Sequence, residues 1–351
     1  MASPEIGRVL VNTRILDAPV TGTQRYAKEL LARWNGCVDT ISPRKHARGV
    51  FGHAWEQLVL PATVGKRLLF SPSNTGPIKE NQVVMIHDMA AFDCPDTFSP
   101  LFAAWYQFLL PRLAHKVRRI ITVSEFVKER IAVHAKVSRS KIVVVPNGVS
   151  SQFCPEAISG LDRAMDAVRI PSRNYILAVG SMEKRKNLHR LVQAWSAVQH
   201  RVPEDLWLVV VGAKGNSRVF AGVHLTNLPA RVFLAGHVDE CLLPSLFAGA
   251  LLLAYVSYYE GFGLPPLEAM ASGTPVLAGN RSSLPEVVGD AGVLVNPFSV
   301  DEIADGIHGM IENVAVRQDL RRRGLARAKQ FSWDEAARRT WDVLQAAASA
   351  N

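Results

Sequence analysis

The stretch ALLLAYVSYYEGFGLPPLEAMASGTPVLAG, residues 250–279, reads as strand, loop, helix and strand. The unbroken apolar run ALLLAYVS is what a parallel strand covered on both faces requires. GFG permits a tight backbone path, Pro265 and Pro266 suit the first turn of a helix, and Gly273 stops it. PVLAG then opens a second strand. Glu260 stands at the end of the first strand. Glu268, eight positions on, is predicted in the first turn of the helix, facing the same crevice. Carboxylates accept hydrogen bonds from vicinal hydroxyls, so one glutamate on a ribose and one on a second sugar fit this spacing. The N–H groups of Phe262, Gly263 and Leu264 lie between them for a phosphate. A helix-dipole partner for Glu268 and a solvated Glu260 fit it equally well.

The same rhythm extends outward. YILAVGS, a helix over 187–199, LWLVVVG, VFLAG and ALLLAYVS precede PVLAG. Earlier in the chain, GRVLVN precedes a helix over 22–33, VVMIHD precedes LFAAWYQFLLPRLAHK, and RRIITVS precedes EFVKERIAVHAKV and then KIVVVPNGV. Strands alternating with helices make a parallel sheet covered on both faces. The rhythm pauses at a polar segment near 154–170 and restarts, so two α/β domains are expected, 1–165 and 166–332. The end, 333–351, reads as an amphipathic helix with Trp333, Ala337, Trp341, Val343 and Leu344 available for burial; it could pack on either domain, with a return to the first as one expectation.

Ligands of open α/β sheets sit beyond the carboxyl ends of the strands. Two further loops there stand out. In VGSMEKRKNL, Gly180 and Ser181 lead to Lys184, Arg185, Lys186 and Asn187 at a helix start. Cations oppose a helix dipole at that end unless an anion is bound, which points to phosphate, with a solvated charge run as the alternative. In VVVGAKGN, Gly212 and Gly215 relax the backbone and Lys214 adds charge.

Composition narrows the class. A chain of 351 residues has room for two cores. The four cysteines form no C-x-x-C pair, against a zinc knuckle or a disulfide framework. The start carries no signal-peptide pattern, and no run reaches the roughly 18 apolar residues of a membrane span, so a cytoplasmic protein is expected. Residues 1–165 hold 21 Lys and Arg against 13 Asp and Glu, while the remainder holds 19 against 18. The excess in the first half, much of it in PRLAHKVRR, would draw an anionic partner such as membrane headgroups or a lipid pyrophosphate, or simply solvate a helix. Trp105 with Arg112, Lys116, Arg118 and Arg119 is the expected acceptor or membrane face. No aromatic-basic stacking motif supports nucleic acid, and no G-x-G-x-x-G turn supports a nicotinamide dehydrogenase.

EGFGLPPLEAMASGTPV resembles the E-x7-E signature of the retaining glycosyltransferases of family four. VGSMEKRKNLHRLVQAW, ITVSEFVKERI, KIVVVPNGV and LPEVVGDAGVLVNP resemble that family's other blocks, in the same order. The resemblance implies a GT-B fold of two Rossmann-like domains facing each other across a cleft, and a retaining hexosyltransferase. It assigns Glu268 to the ribose of a nucleotide-sugar and Glu260 to the transferred sugar, with Phe262, Gly263 and Leu264 as backbone donors. Lys186 and Arg185 fall to the pyrophosphate, and Gly180 and Gly212 to the donor loops. Many members have an arginine after the glycine matching Gly180. Here Ser181 stands there, and Arg185 takes the role. The backbone at His237 and Val238 matches the base-binding segment, His87 the histidine near the reacting sugar, and Gly22 in TGTQRYAKEL a phosphate-approaching turn. No cofactor or metal is expected, and the chain has no D-x-D triplet. Expected partners are a nucleotide-sugar, GDP-mannose first and UDP-sugars next, and a saccharide or polyprenyl-pyrophosphate-linked acceptor at the inner face of the membrane. A nucleotide-sugar epimerase and a non-catalytic nucleotide- or glycan-binding homologue are the rival readings.

Overall fold

The computed structural model describes residues 9–17, 21–43, 49–212 and 228–349. The chain forms two compact units. The first comprises the described residues of Met1–Asp93, Ala103–Gly148 and Ser332–Asn351; the second comprises those of Cys94–Phe102 and Val149–Phe331.

In the first unit, β1 (Leu10–Asn12), β2 (Asp39–Ile41), β3 (Leu69–Ser71), β4 (Gln82–Ile86), β5 (Arg119–Thr122) and β6 (Ile142–Val144) form one sheet in the order β2-β1-β3-β4-β5-β6. In the second, β7 (Tyr175–Val179), β8 (Trp207–Val211), β9 (Val232–Gly236), β10 (Leu252–Tyr255), β11 (Val276–Gly279) and β12 (Gly292–Val295) run β12-β11-β10-β7-β8-β9. Every described pairing is parallel. The central strands β4, β10 and β11 are buried along their whole length, which is why they read as continuous apolar runs.

Strand order sets where a ligand can sit. The order reverses between β1 and β3 in the first sheet and between β7 and β10 in the second. Beyond the carboxyl ends of such a strand pair the connections diverge and leave a crevice. In the second unit that crevice is reached by the loops after Val179 and after Tyr255, the two that carry Lys186 and Glu260.

Several elements differ from expectation. The polar segment near 154–170 carries a helix, Leu161–Val168, whose Leu161 packs where a Cβ on Gly249 would stand, and it belongs to the second unit. The division therefore falls at 148/149, and residues 94–102 also join the second unit. Hydropathy cannot show such an exchange of segments. The helix Trp333–Ser349 lies in the first unit. Its Thr340 hydroxyl is 3.3 Å from that of Tyr26, Trp34 Nε1 donates to Ala337 O at 3.3 Å, and Arg339 donates to Val144 O at 2.7 Å. Its Trp333 and Leu344 are buried, while Trp341 and Val343 are half-buried. Gly148 is required where that helix starts: a Cβ there would lie 2.1 Å from Trp333 N. Among the described residues no helix is long and apolar enough to cross a membrane.

Candidate active site

The site is built from the ends of β7 and β10. After β7, residues Lys184–Lys186 form a single 3-10 turn, and Asn187 takes a left-handed conformation (φ 60°) before the helix Leu188–Val198. Asn187 is fully buried, and its Nδ2 donates to Val256 O at 3.0 Å and to Pro297 O at 2.5 Å, tying this turn to the loop after β10. The backbone closes the same seam, with Tyr258 N donating to Arg185 O at 3.0 Å.

Across the seam stands Glu260, 6% exposed. Lys186 Nζ donates to its Oε1 at 2.8 Å, the Tyr255 hydroxyl donates to the same oxygen at 2.7 Å, and Arg185 reaches Oε2 at 3.3 Å. Lys186 also donates to the Tyr255 hydroxyl at 3.0 Å. Arg185 is held from the other side by Glu183, at 2.8 Å, and Glu183 is bonded in turn by the Ser181 hydroxyl. Burial alone would raise the Glu260 carboxyl. The charges of Lys186 and Arg185, with the hydrogen bonds of Lys186 and Tyr255, outweigh it and hold the carboxyl below its ordinary 4.5. Burial first, then the charge of Glu260, pushes the Tyr255 phenol well above its ordinary value.

The glycines make this geometry fit. A Cβ on Gly180 would touch the methylenes of Lys186 at 3.5 Å, so the lysine stem lies along that glycine. Gly212 has φ 152°, and a Cβ there would fall 1.8 Å from Gly180 O, which only glycine allows. Gly263 (φ 115°) precedes the helix Leu264–Ala271, whose first turn contains both prolines. Prolines have no N–H, so Leu264 is the one residue among the first three of this helix that can donate. Phe262, buried, meets Phe331 edge-on at 5.8 Å. Glu268 is buried too, but it is the fifth residue of the helix, one turn further in than expected. At the end of β9, His237 is exposed and Val238 buried. Lys214 lies outside the described residues.

His87 and Gly22 belong to the first unit. The His87 ring is buried, its Nε2 lies 3.1 Å from Pro72 O, and it meets Tyr26 edge-on at 5.1 Å. A carbonyl only accepts, so Nε2 carries the proton and Nδ1 is the acceptor. Burial lowers the imidazole below its ordinary 6.5, against the raising effects of Pro72 O and Asp88. Gly22 opens the helix Gly22–Arg33 behind Thr21, whose N–H donates to Gln24 Oε1 at 3.0 Å. At the β1/β3 switch of this unit, Glu56 is fully buried and accepts from Asn12 Nδ2 at 2.8 Å, Thr75 Oγ1 at 3.1 Å and Arg14 at 3.0 Å.

The family model described as "Glycosyl transferases group 1" matches residues 163–327, and that described as "Glycosyltransferase Family 4" matches 77–153. O-antigen chain mannosyltransferase B of Escherichia coli is 32% identical over 263 residues, covering 74% of this chain and 69% of that protein. The chain belongs to glycosyltransferase family 4. O-antigen chain mannosyltransferase RfbU of Salmonella typhimurium is 30% identical over 238 residues, 66% of this chain and 61% of the relative. Among solved structures, that of Anabaena HepE in complex with UDP-glucose superposes with TM-score 0.73 at 17% identity, covering 97% of this chain and 99% of that one, a likeness of fold. The chain is thus a glycosyltransferase with the two-unit α/β fold of the GT-B enzymes.

Sequence reasoning missed two members of this candidate site. Tyr255 reads as one more apolar residue of a buried strand, and Glu183 as a stray acid before three cations. Trp105, Arg112 and Lys116, expected at an acceptor or membrane face, share the helix Pro100–Lys116, and Arg118 and Arg119 follow it. Trp105 is half-buried, with its ring 5.3 Å from that of His53. Arg118 is bonded to Ala347 O, and Lys116 is paired with Glu80 at 2.8 Å. Arg119 is exposed, and Arg112 lies over the Phe108 ring at 3.7 Å.

Proposed function

We propose that this glycosyltransferase moves a hexose, mannose from GDP-mannose in the first instance, with retention at the anomeric carbon. The acceptor is a saccharide or a polyprenyl-pyrophosphate-linked saccharide of polysaccharide or lipopolysaccharide assembly. The observation that carries the donor site is the buried Lys186–Glu260–Tyr255 constellation at the β7/β10 switch point. The names of the two O-antigen mannosyltransferase relatives support the sugar.

Departure of a nucleoside diphosphate leaves charge on the pyrophosphate. Lys186 and Arg185 would meet it from a site already shielded from water. Two of the three Lys186 ammonium protons are engaged by Glu260 and Tyr255, and the third serves a phosphate oxygen. With the leaving group held this way, turnover proceeds without a bound metal and survives chelation by EDTA. Glu260 receives hydrogen bonds on both oxygens and is held as a weakly basic carboxylate. That suits a group that orients sugar hydroxyls better than one that attacks carbon. The acceptor then attacks from the face the leaving group departs, its proton passing to the pyrophosphate oxygen. Within the second unit Glu268 is assigned to the ribose; within the first, neutral His87 is assigned to the reacting sugar.

Titration with GDP, UDP, ADP and dTDP, following thermal stability, tests the donor. A ligand specific to the folded state raises the midpoint. A preference for GDP that Glu268→Ala removes is the expected result. A preference for UDP overturns the mannose assignment, and silence from all four overturns the donor site.

A lipid-linked acceptor requires the enzyme to reach a bilayer. The helix Val50–Leu58 leaves Val50, Phe51 and Leu58 exposed at 74%, 81% and 77%, and Val59, Ile78 and Phe108 are exposed as well. Ile78 N donates to Gln57 Oε1 at 3.1 Å, and Lys79 Nζ caps Pro61 O and Gly65 O, so apolar side chains and cations share this surface. We assign the inner-membrane contact to this helix together with Phe108 and Arg112.

A further inference from the structure

Two adjacent serines are placed against the loop that carries Glu260. They stand in the sequence RSSLPE, residues 281–286, after β11. Ser282 Oγ accepts from the Glu260 backbone N–H at 2.9 Å and donates to Arg281 O at 2.6 Å. Ser283, fully buried, donates its hydroxyl to Glu260 O at 3.0 Å and to Phe262 O at 2.7 Å. Leu284 continues the contact, because a Cβ on Gly263 would lie 2.8 Å from its Cδ2. Three of the four residues Glu260–Gly263 are thus contacted by three consecutive residues of another segment.

Two features separate this from ordinary turn chemistry. Ser283 occupies the N-cap of the helix Leu284–Val288, where a serine hydroxyl normally accepts from an N–H of the first turn. No such bond is made, and the hydroxyl is turned outward to the Glu260 loop instead. Ser282 has φ 57°, a conformation costly for any residue with a Cβ and one that persists only where the surroundings hold it. Its hydroxyl is what the Glu260 N–H receives in return. The local helix and the local backbone both forgo their preferred arrangement, and three of the four hydrogen bonds the two hydroxyls make go to residues 260–262.

We propose that Ser282 and Ser283 are positioning residues for sugar transfer. They fix the backbone of Glu260–Phe262, and hence the place of the Glu260 carboxylate and of the neighbouring N–H groups, before the donor arrives. The inference rests on the donor-site reading above. A loop preset in this way needs no ordering when substrate binds, so loss of a serine lowers turnover more than it lowers nucleotide affinity.

Four variants test it: Ser282→Gly, Ser282→Asn, Ser283→Ala and Glu260→Gln. Glycine relieves the left-handed backbone while deleting the acceptor, so it isolates the hydrogen bond. Asparagine tolerates that backbone and returns an acceptor oxygen. Amide hydrogen exchange over residues 256–264 is read by mass spectrometry on the full chain without ligand. Release of nucleoside diphosphate from GDP-mannose and UDP-glucose, and GDP and UDP affinity, are read alongside. The expected result is at least tenfold faster exchange at Glu260 in Ser282→Gly and a tenfold or greater fall in turnover in Ser282→Gly and Ser283→Ala. Nucleotide affinity stays within threefold, and Ser282→Asn recovers part of both effects. Unchanged exchange and turnover in Ser282→Gly and Ser283→Ala, with Glu260→Gln inactive, overturns the proposal and leaves the donor site standing. Full turnover in Glu260→Gln overturns the donor-site reading itself, and with it the functional role of the serines. A Ser283→Ala protein that loses thermal stability and nucleotide affinity in parallel has a merely structural serine, which also overturns it.

Discussion

Lys186 Nζ lies 2.8 Å from Glu260 Oε1, joining the loops that follow β7 and β10, two strands that are hydrogen-bonded neighbours yet far apart in the chain. Both side chains are nearly out of water, with 13% and 8% of their surface exposed. Desolvation of such a pair is costly, and its mutual attraction offsets that cost only while both partners remain. The pair is therefore a poor source of stability, and under the proposed donor-site reading it fixes two charges for a substrate.

Removing one partner should be expensive. Glu260→Ala leaves Lys186 and Arg185 buried beside a neutral gap, with an expected loss of about 3–5 kcal/mol. The double variant Lys186→Met with Glu260→Gln deletes both charges and should cost less than the sum of the single changes, by more than ~1 kcal/mol. Denaturant unfolding of the four proteins measures this coupling. The pair also fixes an acid limb. The Glu260 carboxyl is held below its ordinary 4.5 by Lys186 and Arg185, so its contribution is complete above that value. It is lost as pH falls through the folded value, where the unfolded chain already binds the proton. Glu260→Gln should flatten stability against pH in that range.

Gly212 and Gly180 make a contrasting pair. A Cβ on Gly212 would fall 1.8 Å from Gly180 O, a backbone atom that cannot step aside, so Gly212→Ala should cost roughly 3 kcal/mol or more and abolish nucleotide binding. A Cβ on Gly180 meets only Lys186 methylenes at ordinary contact distance, and Gly180→Ala should stay within about 1 kcal/mol of wild type. Thermal unfolding and the nucleotide-induced shift separate the two. Equal tolerance of both alanines would show that the β7 and β8 ends are not packed as described.

How legible this site is in the sequence depends on what each residue does. Glu260, Glu268 and Lys186 stand out because charges at the end of an apolar strand or at a helix start contradict their surroundings. Tyr255 contradicts nothing, since a tyrosine suits a buried strand, and only the fold shows its hydroxyl on Glu260. Ser282 and Ser283 look like turn residues, and their partners lie more than 20 positions earlier. The two-unit α/β plan follows from the alternation of apolar runs. The helix Val50–Leu58 does not, because its apolar residues face solvent and break the periodicity from which a helix is read.

His87 should not titrate near neutrality. Burial holds its imidazole below 6.5, and Nε2–H faces Pro72 O. Between the folded value and 6.5 the unfolded chain binds a proton that the folded chain does not, so stability falls as pH drops through that window and is restored above it. Nitrogen-15 NMR of labelled histidine should show a neutral Nε2–H ring from pH 6.5 to 8, and the activity profile should lack a His87 limb there. An imidazolium signal at pH 7 would overturn the assignment of tautomer and charge.

Membrane binding, if it is made by the helix Val50–Leu58 with Phe108 and Arg112, should combine an apolar and an electrostatic part. Burial of a Phe or Leu side chain contributes roughly 1.5–3 kcal/mol, about tenfold or more in affinity. Phe51→Glu and Leu58→Glu should each weaken flotation with phosphatidylglycerol vesicles by at least about that factor, while the nucleotide-induced thermal shift is unchanged, because both side chains belong to the first unit and the proposed donor site to the second. Added salt should weaken binding further, since Lys79 and Arg112 act through a screened field. Phosphatidylcholine vesicles should bind less than anionic ones for the same reason. A wild-type protein that ignores anionic vesicles at low salt removes the membrane assignment. A self-associating protein that becomes monomeric in Phe51→Glu reassigns this face to a second copy of the chain.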